Sequence, residues 1–355
     1  MSHTFGVLPG DGIGPEVVEE GLKVLRAAAD RFGFDYETVD YPYSTDHFLN
    51  TGEKMPEDAI QAIGGHSATL LGAIGDPRVE VGMMEFAIIA GLRFNLDLYV
   101  NLRPVKLYAE RLCPLKGVTN GDLELVIVRE NTEGAYAGLT EVTDKGGSGE
   151  VSIQQMRYTR KGVERIIRYG YEMAVARGKH NRLTLVDKAN AIRAQDIWTR
   201  IFEEVGREYP SIEQDHAYVD AACMWLVKNP EHFDVVVTPN LFGDIISDLG
   251  AVLQGGMGIA AGGNIHPGET GVFEPIHGSA PKYVGLGKAN PVATILAVAM
   301  MLEFVEETDA GRGIEQAVSA LLADARIPGG GAGLLPTSEI GDLVVAELGA
   351  ASLSA

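Results

Sequence analysis

Two cysteines in 355 residues are too few for a disulfide scaffold, and Cys113 and Cys223 sit in apolar stretches with no CxxC or metal-ligand spacing. Free core thiols in a reducing compartment are the expectation. Positive charge is also scarce: 29 Lys and Arg stand against 49 Asp and Glu, a net charge of -20. A nucleic-acid or anionic-membrane surface needs a cationic footprint, and this balance excludes one. An anionic ligand would need a local arginine cluster to outweigh the global field. No apolar run can span a bilayer, since the longest, Met83 to Leu92, is short and contains Glu85. No signal peptide is evident either: Met1-Ser2-His3-Thr4 runs straight into Phe5-Gly6-Val7-Leu8. A soluble, cytoplasmic protein is expected. Internal repeats and low-complexity tracts are missing too, apart from a glycine-rich turn expected at Gly329-Gly330-Gly331-Ala332-Gly333.

What is present is alternation. The length exceeds that of one ordinary domain, and 46% hydrophobic residues can fill a large core. Apolar runs at Phe5–Leu8, Ala68–Ala73, Leu123–Val128, Leu183–Val186 and Val235–Val237 read as buried strands. Amphipathic segments at 16–31, 161–177 and 192–206 read as helices, the first with Pro15 near its start and Val18, Leu22, Leu25 and Ala29 at helical spacing. The pattern predicts α/β architecture. Segment 140–157, rich in Gly, Ser and Thr and then alternating from Val151 to Met156, predicts a projecting arm or hairpin that finds a partner.

Several residues have the type and place that chemistry needs. Asp244 and Asp248, four apart after the run Val235-Val236-Val237, share a helix face, where like charges repel and a hard divalent cation would relieve them. The plainer alternative makes Asp244, after Gly243, a helix cap and leaves Asp248 in water. Gly10-Asp11-Gly12-Ile13-Gly14 follows the first strand, where glycines admit a ligand or simply make a tight turn, but its spacing does not meet GxGxxG. Arg93, Arg103 and Arg129 offer forks for carboxylates, with surface ion pairs as the alternative. Arg129 stands where a buried strand ends, the usual place for ligands in α/β folds. Lys188 repeats that placement and suits a base, unless it forms a solvated pair with Asp187. Asp220 is either an N-cap or a third metal carboxylate, Tyr136 a packed aromatic or an acid, and His277 a hydrogen-bonding loop residue.

Taken together, Gly10-Asp11-Gly12-Ile13-Gly14-Pro15-Glu16, Asn101-Leu102-Arg103-Pro104, Arg129-Glu130-Asn131-Thr132-Glu133-Gly134, Asp187-Lys188-Ala189-Asn190, Asn240 to Leu249 and Glu274-Pro275-Ile276-His277-Gly278-Ser279-Ala280-Pro281 resemble the β-decarboxylating dehydrogenases of 2-hydroxy acids. This family includes isopropylmalate, isocitrate, homoisocitrate and tartrate or D-malate dehydrogenases, and the likeness spans nearly the whole chain. It implies the isopropylmalate/isocitrate dehydrogenase-like two-domain fold, a large central mixed sheet flanked by helices instead of a classical Rossmann fold. A cofactor-binding domain is expected from 1–99 plus 252–355. A substrate, metal and dimerisation domain is expected from 100–251, including the arm. The resemblance further implies that Arg93, Arg103 and Arg129 hold substrate carboxylates, and that Asp244 and Asp248 bind Mg²⁺ or Mn²⁺ with Asp220 of the partner subunit. Lys188, also crossing between subunits, would take the hydroxyl proton, and Tyr136 would assist protonation of the enol carbon. Gly72, Ala73, Ile74, Glu274, His277, Gly278, Ser279, Ala280, Lys282, Tyr283 and Asn290 are expected near the cofactor.

Selectivity rests on the segment before Arg93. Isocitrate-specific members carry a serine six and an asparagine four residues before this arginine, where this chain has Ala87 and Ile89. Phe86-Ala87-Ile88-Ile89-Ala90 is wholly apolar, and a third carboxylate buried against it would be costly, whereas an isopropyl group would gain. The alternative is a helix that simply faces the core. With Ile89 and Ala90 as substrate contacts, the expectation is 3-isopropylmalate, then D-malate or tartrate, then isocitrate or homoisocitrate. A non-catalytic metal- or anion-binding regulator on the same scaffold is the alternative from another class. The glutamate usual in many isopropylmalate enzymes corresponds to Glu85 only with a shifted register. Lys282-Tyr283 admits NADP, but Ala289-Asn290 looks NAD-like, and NAD is the expected cofactor.

Overall fold

Each of the five apolar runs becomes a strand in the computed structural model, which describes residues 2–330 and 335–350. In chain order the strands are β1 (Ser2–Gly10), β2 (Asp35–Asp40), β3 (Ala68–Ala73), β4 (Val100–Lys106), β5 (Glu124–Glu130) and β6 (Thr140–Thr143). Then come β7 (Val151–Gln154), β8 (Arg182–Asp187), β9 (Glu213–Tyr218), β10 (Val235–Thr238), β11 (Ala261–His266) and β12 (Thr270–Pro275). Ten of them, flanked by helices, form the mixed α/β architecture that the alternation predicts.

The chain divides into two units. One draws on Met1–Leu98, Lys106–Asn120 and Ala251–Ala355. Its strands run in the order β2-β1-β3-β12-β11, parallel except for the antiparallel pair β11 and β12. The helix Gly14–Phe32 begins two residues earlier than its amphipathic pattern suggests, with Pro15 in its first turn, and ends on Gly33 in the left-handed region. It buries Val17, Val18, Val24 and Leu25. The helix Val292–Phe304 is apolar on every side because it packs on β11 and β12 and also on neighbouring helices.

The second unit comprises Tyr99–Val105 and Gly121–Gly250. Its order is β4-β5-β10-β8-β9, with β5, β10, β8 and β9 parallel. β5, β8 and β10 are apolar without alternation because both faces are covered. The helices Arg160–Arg177 and Asp196–Gly206 supply Val163, Ile166, Tyr171, Trp198 and Phe202 to the core. β6 and β7 pair as an antiparallel hairpin within the expected arm, leaving Val142, Val151 and Ile153 exposed.

Two sequence expectations change, and a third falls largely outside the described residues. The helix expected over 192–206 starts only at Asp196, after a 3₁₀ turn at Arg193–Gln195. The Lys188 carbonyl accepts from the N–H groups of Ala191 and Ile192 and holds that stretch as a turn. Cys113 and Cys223 are free, as expected, but only partly buried instead of core. Cys223 lies on the helix Val219–Lys228, whose apolar Met224 is 68% exposed, so apolar neighbours in sequence do not mean burial there. Of the glycine-rich turn, Gly331, Ala332 and Gly333 lie outside the described residues, while Gly330 donates its N–H to the Gly255 carbonyl.

Candidate active site

In the second unit the two aspartates ride on the helix Asn240–Gln254. Its start at Asn240 removes the capping alternative, since Asp244 is already inside the helix. Asn240 is buried, and its Oδ1 accepts from Arg129 Nε at 3.0 Å and Nη2 at 2.8 Å. Arg129 Nη1 donates to Asp244 Oδ1 at 2.6 Å, and the Tyr136 hydroxyl donates to Asp244 Oδ2 at 3.0 Å. A glycine is needed one turn below: a Cβ on Gly243 would lie 2.5 Å from Arg129 Cγ. Arg129, 2% exposed, is therefore locked by the helix that carries the acids. On β4, the Arg103 Nε donates to the buried Asn101 Oδ1 at 2.7 Å.

Asp248 shares its helix face with Asp244. Partial loss of solvent and then the Asp244 charge raise its carboxyl above the usual range, against the pull of Arg103 and Arg129. Two oxygen-donor side chains that repel each other suit a hard divalent cation. Among the described residues no group of three or more His, Cys, Asp and Glu converges as a metal cluster. Asp220 is not the N-cap of its helix, which is Tyr218. It accepts instead from Lys188 Nζ at 2.5 Å.

Lys188 follows β8, with its ammonium 5.8 Å from the Tyr218 ring centre. The solvated Asp187–Lys188 pair is not found. Asp187 is wholly buried, and its Oδ1 takes the Ala189 N–H at 3.1 Å and bonds His216 Nε2 at 3.0 Å. The hydrogen bond to Asp187 holds the His216 imidazole above its ordinary pKa, outweighing the loss of solvent. A raised folded pKa means stability that is present below about pH 6.5 and is lost as pH rises through the folded value. The melting-temperature gap between wild type and His216→Gln is expected to be widest near pH 6 and to narrow toward pH 8.5. A gap independent of pH would show that the pair holds no ionic component. The charged groups facing the ring are Asp187, Asp215 and Glu203.

In the first unit, Arg93 lies on the short helix Gly91–Asn95. Its Nε donates to Asn264 Oδ1 at 2.9 Å, and its Nη2 stands 3.5 Å from Glu274 Oε1. Glu274, expected on the cofactor side, is thus also the ion-pair partner of Arg93, and Asn264 Nδ2 bridges to it at 2.8 Å. The segment before Arg93 is not a plain core-facing helix. Phe86–Ala90 forms a π-helical turn, in which Ile88 is fully buried, Ile89 packs at the edge of the core and Phe86 is 70% exposed. Such a turn admits one residue more than an α-turn. Glu85 just before it reaches the β3 loop, with Oε1 2.7 Å from where a Cβ on Gly75 would stand.

The Gly10–Glu16 turn packs against its own chain. The Asp11 carboxylate takes N–H groups of Thr45 at 2.6 Å and Gly75 at 2.9 Å. A Cβ on Gly12, at φ +62°, would lie 2.0 Å from the Ser279 carbonyl oxygen. Gly72 is similarly close to the Pro9 carbonyl, and the Ala73 carbonyl accepts the Asp11 N–H at 2.6 Å. β1, β3 with Ile74 after it, and the loop Ile276–Ala280 are thereby fixed together. Ala280 holds a left-handed φ of +42°, a conformation costing an alanine about 1–2 kcal/mol. His277 Nδ1 lies 3.0 Å from the Gly278 carbonyl, and burial lowers its pKa. The Lys282 ammonium sits 4.9 Å from the Tyr283 ring centre. Asn290 is engaged at both ends, by the Gly329 carbonyl and the Val292 N–H.

Sequence reasoning passed over Asn101, Asn240, Asn264, Gln195 and His216. Asn101 and Asn240 were visible as the residues opening two motifs. The rest show their roles only through partners distant in sequence.

The family model for isocitrate/isopropylmalate dehydrogenase matches residues 4–344. The 3-isopropylmalate dehydrogenase of Thermobifida fusca is 49% identical over 351 residues, covering 97% of this chain and 98% of its own. That of Streptomyces griseus is 44% identical, covering 98% and 99%. Among solved structures, isocitrate dehydrogenase from Methylococcus capsulatus matches with TM-score 0.86 at 36% identity, covering 98% of this chain and 99% of its own. A β-decarboxylating dehydrogenase from Thermococcus kodakarensis matches with TM-score 0.78 at 34% identity, covering 98% and 96%.

Proposed function

Because the chain belongs to the isocitrate/isopropylmalate dehydrogenase family and is a decarboxylating dehydrogenase, we propose that it oxidises 3-isopropylmalate with NAD and releases CO₂ to give 2-oxoisocaproate, a step of leucine biosynthesis. The observation that carries the chemistry is Arg129, buried and bonded to the helix that bears Asp244 and Asp248. The substrate choice rests on the apolar Phe86–Ala90 turn before Arg93, where Ile89 and Ala90 offer an isopropyl group contact and no partner for a third carboxylate. The names of the sequence relatives favour the same substrate, although a fold neighbour is named for isocitrate.

In this reading Arg93, Arg103 and Arg129 bind the two substrate carboxylates through charge-assisted forks. Lys188 of the partner subunit accepts the hydroxyl proton as C2 is oxidised, for which bound NAD would supply the hydride acceptor, and the product is a keto acid with a carboxylate β to the carbonyl. The bond to that carboxylate breaks, CO₂ departs, and the electron pair remains as an enolate. Tyr136 helps return a proton to the enol carbon, so the proton taken from oxygen balances the one delivered to carbon. A magnesium or manganese ion held by Asp244 and Asp248 with Asp220 of the partner subunit would supply Lewis-acid polarisation of the substrate oxygens. The residues of the Gly72–Ile74 and Glu274–Asn290 stretches would receive the cofactor.

The active site is proposed to need a homodimer. Met224 on the Asp220 helix, and Ile245 and Val252 on the Asp244 helix, are each more than half exposed in the single chain, as expected of a face that a second copy covers. Two free thiols fit a cytoplasmic location.

The test is a panel with purified protein and Mn²⁺: 3-isopropylmalate, isocitrate, D-malate and tartrate, each with NAD and with NADP. The expected result is NADH formation from 3-isopropylmalate, with kcat/KM about a hundredfold above the other acids. Equal or better turnover of D-malate would sink the substrate assignment, and a preference for NADP would sink the cofactor assignment.

A further inference from the structure

The turn between β8 and the helix Asp196–Gly206 contains a side chain that no role above uses. Gln195 is 1% exposed, yet it is polar at both ends. Its Oε1 accepts the Lys188 backbone N–H at 2.7 Å, and its Nε2 donates to the Tyr158 hydroxyl at 3.0 Å. The Lys188 carbonyl is held too, by the N–H groups of Ala191 at 3.0 Å and Ile192 at 2.8 Å. The Gln195 N–H in turn donates to the Ile192 carbonyl at 2.9 Å. The peptide groups on both sides of the Lys188 Cα are therefore clamped by residues of one short turn. The far end of the clamp is stiff: the Tyr158 ring meets the fully buried Trp198 edge-on at 6.0 Å.

We infer that Gln195 is a positioning residue, whose buried amide fixes the Lys188 backbone and thereby aims the Lys188 amino group. The inference rests on the assignment of Lys188 as the base. A buried amide with an acceptor fixed on one backbone N–H and a donor fixed on an anchored ring is a strut, and its length sets where the peptide stands. Losing the acceptor leaves the Lys188 N–H buried without a partner, and the turn must relax to satisfy it. A shift of about 1 Å in a catalytic group costs up to about a hundredfold in rate. Substrate affinity is set by the arginines and not by this turn, so the loss falls on kcat.

The test compares Gln195→Met, Gln195→Asn, Gln195→Glu and Lys188→Ala in the full-length protein. Conditions are Mn²⁺, NAD and whichever acid of the panel is turned over fastest. Gln195→Met keeps the volume without the acceptor, and Gln195→Asn keeps the amide one methylene short. Both are expected to lose at least about tenfold in kcat with KM within about threefold of wild type. Gln195→Glu keeps an oxygen for the Lys188 N–H and can take the Tyr158 hydroxyl proton as donor. It is expected to recover kcat to within about threefold even where its melting temperature drops. A purely structural role predicts the reverse, with kcat following melting temperature across the series. Should Gln195→Met not fold, the Asn and Glu variants make the same comparison. Lys188→Ala inactive beside Gln195 variants of wild-type kcat overturns this inference alone. Normal turnover in Lys188→Ala overturns the base assignment and the inference together.

Discussion

Lys188→Ala is expected to lower kcat by about 10²–10⁴-fold while leaving the substrate dissociation constant within a few-fold. The ammonium pairs with Asp220, whose side chain is 70% exposed, so solvent screens the ion pair and it adds little to stability. The variant should therefore melt close to wild type, and lost turnover cannot be put down to lost fold. Calorimetric titration with 3-isopropylmalate and Mn²⁺ separates binding from chemistry. Near-normal turnover would remove the lysine from the proposed mechanism.

Arg129→Met should have two effects at once. The guanidinium holds the buried Asn240 amide and the Asp244 carboxylate, and truncating one member of such a network costs about 3 kcal/mol. Methionine retains the stem that fills the space beside Gly243, so the loss reports the charge and not a cavity. Without its carboxylate fork the enzyme is expected to lose about a hundredfold or more in kcat/KM. Denaturant unfolding measures the first effect and steady-state kinetics the second. A large stability loss with unchanged kcat/KM would make Arg129 a brace for the helix and nothing more.

The contrast between these two residues shows what the chain discloses in its order of letters. Lys188 and Arg129 were both legible because each closes a continuous apolar strand, and such strands in α/β folds deliver their ends to ligands. The acidic pair was legible from its spacing, but Gly243 misled. A glycine in a helix costs about 1 kcal/mol relative to alanine and reads as a boundary. Here it lies inside the helix, because an arginine from β5 needs the room. Asp187 misled in the same way, since the histidine that makes its burial tolerable is 29 residues further along. Gln195 carried no signal, because a polar residue in a turn looks solvated until the fold closes over it. Periodicity records which side of an element faces the core; it does not record which distant side chain will occupy the space beside it.

The π-helical turn at Phe86–Ala90 bears on how this chain is compared with its relatives. A wide turn is a length buffer: one amino acid can be gained or lost there while the residues before and after keep their directions. Glu85 lies against the β3 loop, while Arg93 is held separately by Asn264 and Glu274. The slack between them is taken up by the turn and not by either end. Counting backward from Arg93 across the whole turn is therefore the wrong ruler for Glu85. A length change of one residue can be absorbed within Phe86–Ala90 while the acid before it and the arginine after it keep their places.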